Sequence, residues 1–184
     1  MEVMEAIKGR RSIRKYKPTA VSDEDLQFIL EAARWAPSWA NTQCFEFIMV
    51  RDFELRKRLA ETLPEANPAR PAFAQVPVVI VACAHKEKAG YFKAAPATDK
   101  GDWLMFDTAL ALQNLTLAAY SRGLGTVHVG FFDSRKVKEI LNVPPAVEVV
   151  ELLPLGIPDE EGRPPKRRAV EEFVFYDQYG GQRT

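Results

Sequence analysis

The residues best suited to chemistry in this chain are cations, and they are concentrated. Arg10, Arg11, Arg14 and Lys15 lie close around Ser12, in a chain of 184 residues whose formal net charge is zero. A second basic run, Arg163, Lys166, Arg167 and Arg168, lies near the other end. Two such spots in a neutral chain suit a localised anion, because the planar arginine fork donates two parallel hydrogen bonds to phosphate. One reading brings both spots to a single phosphate of a bound cofactor. The other leaves them as solvated surface runs. Neither GxGxxG nor GxxxxGK[ST] occurs, so a phosphate would have to be held by side-chain cations.

Two further segments carry candidate groups. Pro37, Ser38, Asn41 and Gln43 fall in one short stretch. They read either as turn chemistry or as amides and hydroxyls facing a flat heterocycle with mixed hydrogen-bonding edges. In Val129-Gly130-Phe131, the glycine lets a group approach the backbone closely, while Phe131 or Phe132 can equally be core. His128 and Cys44 each read as packed strand residues, or alternatively as a base and a thiol. No nucleophile elbow or HExxH is present. Cys44 and Cys83 form no CxxC, so neither a disulfide framework nor a metal site is expected. If the protein is a catalyst, a cofactor performs the hard chemistry and no side chain is an indispensable acid, base or nucleophile.

These groups need elements to position them. Residues 2–9 read as a short helix running into the first basic segment. Ser22 caps a second helix, with Leu26, Ile29, Leu30 and Ala33 at helical spacing and Pro37 as its stop. A strand is expected over 45–50 and a helix over 53–63 behind Asp52. The prolines of 64–76 predict a loop. The apolar run 76–84 suits a central strand covered on both faces, and 85–101 reads as a loop near the site. The helix 103–122 is apolar on most sides, which predicts either a central helix or a large subunit interface. Strands over 126–131 and 147–155 flank a helix that starts at Asp133 or Ser134 and ends near Asn142. Residues 173–176 read as a short strand or an arm. The pattern is α+β.

Hydrophobic residues are 47% and charged residues 27%, an ordinary globular mixture. Equal numbers of acidic and basic residues argue against nucleic acid as partner. No apolar run spans a bilayer and the first residues lack signal-peptide order, so a cytoplasmic protein of one domain over 1–184, with no membrane partner, is expected.

Taken in order, RRSIRKY at 10–16, APSWANTQ at 36–43, LAAYSRGLGT at 117–126, VGFFD at 129–133 and LPLGIP with PKRR at 153–168 resemble the nitroreductase family of FMN-dependent oxidoreductases. The resemblance implies a mostly antiparallel sheet flanked by helices in an α/β sandwich. It also implies a homodimer with two FMN sites at its interface. Arg10, Arg11, Ser12 and Arg14 would bind the FMN phosphate, with Lys166 and Arg168 reaching it or the ribityl chain. Pro37, Ser38, Asn41 and Gln43 would meet the isoalloxazine, commonly across the dimer boundary. Val129, Gly130 and Phe131 would lie along the ring and its N5 edge. The implied activity passes hydride from NADH or NADPH through flavin N5 to a small-molecule acceptor of nitroaromatic or quinone type. Alternatives on the same fold are an ene-reductase, a dehalogenase, a flavin-breakdown enzyme or a non-catalytic FMN-binding protein. Cys44 stands where the family often has proline, Trp39 is bulky where smaller residues are common, and the tail 169–184 is a candidate for an exchanged segment.

Overall fold

In the computed structural model, which describes residues 1–182, the chain forms α1 (Val3–Gly9), α2 (Asp23–Arg34), β1 (Phe45–Val50), α3 (Phe53–Glu61), α4 (Ala72–Gln75), β2 (Val78–His85), β3 (Tyr91–Phe92), β4 (Ala95–Pro96), α5 (Leu104–Ser121), β5 (Gly125–Thr126), α6 (Ser134–Leu141) and β6 (Val147–Gly156). The main sheet has the order β1-β2-β6-β5, and every pairing in it is antiparallel.

The apolar run of β2 explains the layering. Its side chains alternate between faces, so Val78, Ile80 and Ala82 share one side and Val79, Val81 and Cys83 the other. The first set packs with Leu26, Ile29 and Ala33 of α2 and Ala111, Leu112, Leu115 and Ala119 of α5. The second packs with Leu59 of α3, Ala72 and Phe73 of α4 and Val137 of α6. Helices therefore cover both faces, as a continuous hydrophobic strand requires. Three helix starts lie at the residues with capping chemistry. Ser22 accepts from the Asp25 amide at 3.0 Å, Asp52 from Leu55 at 2.8 Å, and Asp133 from Arg135 at 3.1 Å. Asn142, in the left-handed conformation at φ 55°, stops α6.

Several expectations change. The 64–76 loop contains α4, and the 85–101 loop contains the small β3–β4 hairpin. The strand expected over 126–131 is broken. Only Gly125 and Thr126 join the ladder to β6, and Val129 returns as an isolated bridge to Leu152. Residues 173–176 form no strand; a 3-10 turn over Val170–Glu172 leads into bends, and Phe173, Phe175 and Tyr176 are exposed. Helix α5 is not buried all round within one chain. Met105 is 59% and Phe106 54% exposed, with Ala109 and Gln113 also exposed nearby. No helix among the described residues is long and apolar enough to cross a membrane.

Candidate functional site

The first basic segment lies along the β5 edge of the sheet. The Ile13 amide donates to the Thr126 carbonyl at 2.9 Å, and Ser12 bridges Thr126 in parallel. Lys17 donates to Ile157 at 2.9 Å, and the Asp159 amide donates back to Lys15 at 2.9 Å. Glu160 completes the docking, with its Oε1 accepting from the Arg14 amide at 2.6 Å and the Lys15 amide at 3.2 Å. Gly125 makes the approach possible, because a Cβ there would lie 2.9 Å from Ile13. Tyr16 is buried under the segment, and burial followed by the nearby Glu160 charge raises its phenol pKa well above the usual value.

This docking encloses a cleft of about 590 Å³ lined by Arg10, Arg11, Ser12 and Arg14 from one segment and by Glu160, Glu161, Gly162, Arg163, Pro165 and Arg167 from the other. The two basic runs therefore converge. The residues that line the cleft from the second run are Arg163 and Arg167. Lys166 and Arg168 do not line it, and the Arg168 guanidinium lies 5.4 Å from the Phe173 ring centre. Arg11 is committed to the fold, donating to the Lys8 carbonyl at 2.6 Å beyond the end of α1. Arg10 Nη1 and Arg14 Nε, by contrast, are buried without a hydrogen-bond partner. Burial, then the charges of Arg167 and Arg11, lowers the Arg10 pKa from the ordinary arginine value. Unpaired buried donors cost about 1–3 kcal/mol each, and crowded like charges add to that. A phosphate-sized anion would satisfy the donors and the charge together.

The Pro37–Gln43 stretch lies elsewhere. Trp39 packs on Trp103, just before α5, with ring centres 5.2 Å apart, and its amide donates to both carboxyl oxygens of Asp107 at 3.0 Å. The cleft lies at the opposite end of α5, where Tyr120 crowds Gly9. At 1.5 Å per residue, the helix between Asp107 and Tyr120 separates them by about 20 Å. One chain therefore does not bring Ser38, Asn41 and Gln43 to its own arginine cleft. The stretch is rigidly shaped: Gln43 donates from its amide to Ser38 Oγ at 3.0 Å and from Nε2 to Asn41 Oδ1 at 3.1 Å. Ala40, Asn41 and Gln43 all have positive φ, at 42°, 56° and 46°. That region costs a non-glycine residue roughly 1–2 kcal/mol.

Val129, Gly130 and Phe131 continue from Thr126 along the same edge as the cleft. Val129 is buried and exchanges hydrogen bonds with Leu152 at 3.0 and 3.1 Å. A Cβ on Gly130 would meet nothing within 4 Å, so any close approach there must come from outside the chain. Phe131 is 72% exposed, and its carbonyl accepts from Asn67 Nδ2 at 3.2 Å. The Gly130 and Phe131 amides donate to no group among the described residues. His128 Nδ1 lies 2.5 Å from Glu151 Oε1, on an exposed part of this edge. Cys44 is buried with its thiol 3.7 Å from Asp107, and burial together with that carboxyl pushes its pKa up to about 12.

Sequence reasoning placed Arg163 and Arg167 in the second basic run but gave the cofactor contact there to Lys166 and Arg168, and it passed over Glu160, Asn67 and Asp107. Only Arg163 and Arg167 carried a signal, as members of the second basic run. The others act through pairings across 64 or more residues, except where they pair locally.

The Nitroreductase family model matches residues 7–157. An FMN reductase [NAD(P)H] of Bacillus subtilis strain 168 is 32% identical over 98% of this chain and 76% of its own length. A nitroreductase family protein of Clostridium novyi NT superposes with TM-score 0.80 at 31% identity, covering 98% of this chain and 97% of its own. An FMN-dependent nitroreductase of Clostridium difficile R20291 gives TM-score 0.80 at 27% identity, covering 96% and 99%. With the family model covering most of the chain and the antiparallel sheet and its covering helices shared with these structures, the chain belongs to the nitroreductase family.

Proposed function

We propose that this chain is an FMN-dependent NAD(P)H oxidoreductase that reduces a flat, electron-poor acceptor of nitroaromatic or quinone type. The observation that carries the FMN assignment is the pair of buried, partnerless guanidinium N–H groups on Arg10 and Arg14, residues that line one cleft together with Arg163 and Arg167. A terminal phosphate satisfies them, and the chain has no dinucleotide fingerprint for a longer cofactor. FMN held there would supply the redox chemistry of hydride transfer between NAD(P)H and the acceptor.

The chain's own residues bind and orient. Arg10, Ser12 and Arg14 would hold the phosphate from one side and Arg163 and Arg167 from the other, with Lys166 and Arg168 adding positive potential nearby. Val129, fixed to Leu152, holds in place the edge along which the ring would lie. The unpaired amides of Gly130 and Phe131 would be free to donate to it. Asn67 keeps the Phe131 peptide in one orientation.

The ring-facing residues Pro37, Ser38, Asn41 and Gln43 serve a second copy of the chain. The 20 Å scale of α5 keeps them from their own cleft, and the exposed Met105 and Phe106 offer a dimer surface. The working unit is then a homodimer with two composite sites.

Mass analysis of flavin released by denaturation tests the cofactor. FAD, or no flavin after reconstitution, overturns the assignment. Anaerobic reduction with NADH and NADPH, followed by an acceptor panel, tests the activity. A flavin that no acceptor reoxidises would make this a non-catalytic FMN-binding protein.

A further inference from the structure

Asp107 is a fully buried acid on the first turn of α5. Among the described residues no lysine, arginine or histidine pairs with it. Burying such a group without a cation is costly, and it persists where hydrogen bonds and a helix N-terminus compensate. Its partners all belong to one short segment. The Trp39 amide donates to Oδ1 and Oδ2 at 3.0 Å each, and the Cys44 thiol lies 3.7 Å from Oδ2. These two contacts bracket the left-handed residues Ala40, Asn41 and Gln43. Between the brackets, Thr42 Oγ1 is buried with no partner in the chain.

We propose that Asp107 is the positioning residue for the ring-facing half of the flavin site, clamping both ends of the 39–44 segment so that Ser38, Asn41 and Gln43 reach the partner's cleft already in their binding shape. The inference rests on the composite-site reading above. The logic is conformational. Three consecutive-range residues without glycine do not hold positive φ by propensity, so something must over-determine them. A carboxyl group that accepts at both ends does so, whereas a neutral side chain of equal size accepts at only one oxygen. Trp39 packed against Trp103 in a tilted arrangement limits the remaining freedom.

The test compares Asp107→Asn and Cys44→Ala with Leu115→Ala, a cavity variant in the same helix that lies in the core shared by α2 and the sheet. FMN and riboflavin affinities are measured for each by fluorescence titration. Hydrogen exchange of the Trp39 amide is followed in flavin-free protein. In Asp107→Asn we expect both affinities to fall about ten-fold or more, on the scale of one lost charged hydrogen bond. The FMN-to-riboflavin ratio should stay constant, because the phosphate cleft is untouched. The Trp39 amide should lose protection. Cys44→Ala removes one bracket only and should show a smaller effect in the same direction. Leu115→Ala should lower the melting temperature with both affinities unchanged. Wild-type affinities and a protected Trp39 amide in Asp107→Asn overturn the proposal, as does an equal affinity loss in Leu115→Ala. If the wild type itself binds no flavin, the functional reading fails. The amide exchange then still decides whether Asp107 clamps the segment.

Discussion

Replacing Arg10 with methionine should make the flavin-free protein more stable and the flavin-loaded protein less stable. The structure leaves Nη1 of this residue buried without an acceptor, beside two like charges. Residue 10 is only half-buried, so the relief sits at the low end of the penalty for an unsatisfied donor, about 1 kcal/mol. Methionine keeps much of the stem's packing. For a chain of this size, that is a rise in melting temperature of roughly 2–4 °C. With FMN present the sign reverses. A charged hydrogen bond to phosphate contributes about 1.5–3 kcal/mol, so the dissociation constant should rise some ten- to hundred-fold. At a concentration one hundred times the wild-type constant, FMN stabilises the wild type by about 2.7 kcal/mol; a thirty-fold weaker variant keeps only about 0.9 kcal/mol. The melting order of the two proteins should therefore invert when FMN is added. Thermal unfolding of reconstituted and flavin-stripped protein reads this directly, with flavin fluorescence giving the affinity. If Arg10→Met is the less stable protein in both states, the guanidinium holds the fold rather than a ligand. If FMN affinity is unchanged, the phosphate lies elsewhere.

Cys44 and Cys83, with thiol pKa values pushed up to about 12 and about 11 chiefly by burial, should resist alkylation at pH 8 in the folded protein and react once it is unfolded. Because both values are raised on folding, their contribution to stability is complete below the ordinary thiol pKa of about 8.5 and is lost as pH climbs toward 11–12; urea melts across that range check the direction. His128→Gln should keep turnover with a quinone within a few-fold, since the histidine is tied to Glu151 at 2.5 Å; a fall of 10²–10⁴-fold with flavin occupancy intact would reveal a general acid. Sedimentation at low micromolar concentration should give twice 20.7 kDa, and Phe106→Glu on the exposed face of α5 should lower that mass and release flavin. A flavin-loaded monomer would contradict the composite site.

Much of this architecture is visible in local sequence. The caps at Ser22, Asp52 and Asp133 work through bonds three residues away or fewer, so their chemistry announces itself. The run 76–84 revealed a strand covered on both faces because continuous apolarity has few other soluble solutions. What stayed hidden depended on distant partners. Which of Arg163, Lys166, Arg167 and Arg168 lines the cleft is decided by how the chain after Gly162 packs on Arg11, where a Cβ would lie 2.2 Å from the arginine stem. The break falls after Thr126, where Ser12 and Ile13, more than a hundred residues earlier, pair with the other side of that edge. The left-handed Ala40, Asn41 and Gln43 carry no glycine to mark them. Asp107 looks like one polar residue in an apolar helix until Trp39 is placed against it.

The two halves of the site follow opposite physical strategies, and the difference tracks what each must meet. The arginine cleft is left under-satisfied: donors are buried without acceptors, and like charges are crowded until an anion arrives. A phosphate is small, doubly charged and geometrically tolerant, so its arrival offsets a large penalty without needing a finely shaped cradle. The 38–44 segment is instead tied by the carboxyl group of Asp107 at Trp39 and Cys44 and internally by Ser38 and Asn41. A neutral heterocycle offers only weak, directional hydrogen bonds, which cannot meet the entropy of ordering a loop at the moment of binding. That half gains affinity only if its order exists beforehand. The strained backbone and the buried acid against it are the cost of that order, and in the composite site proposed above this is the segment offered to a second subunit.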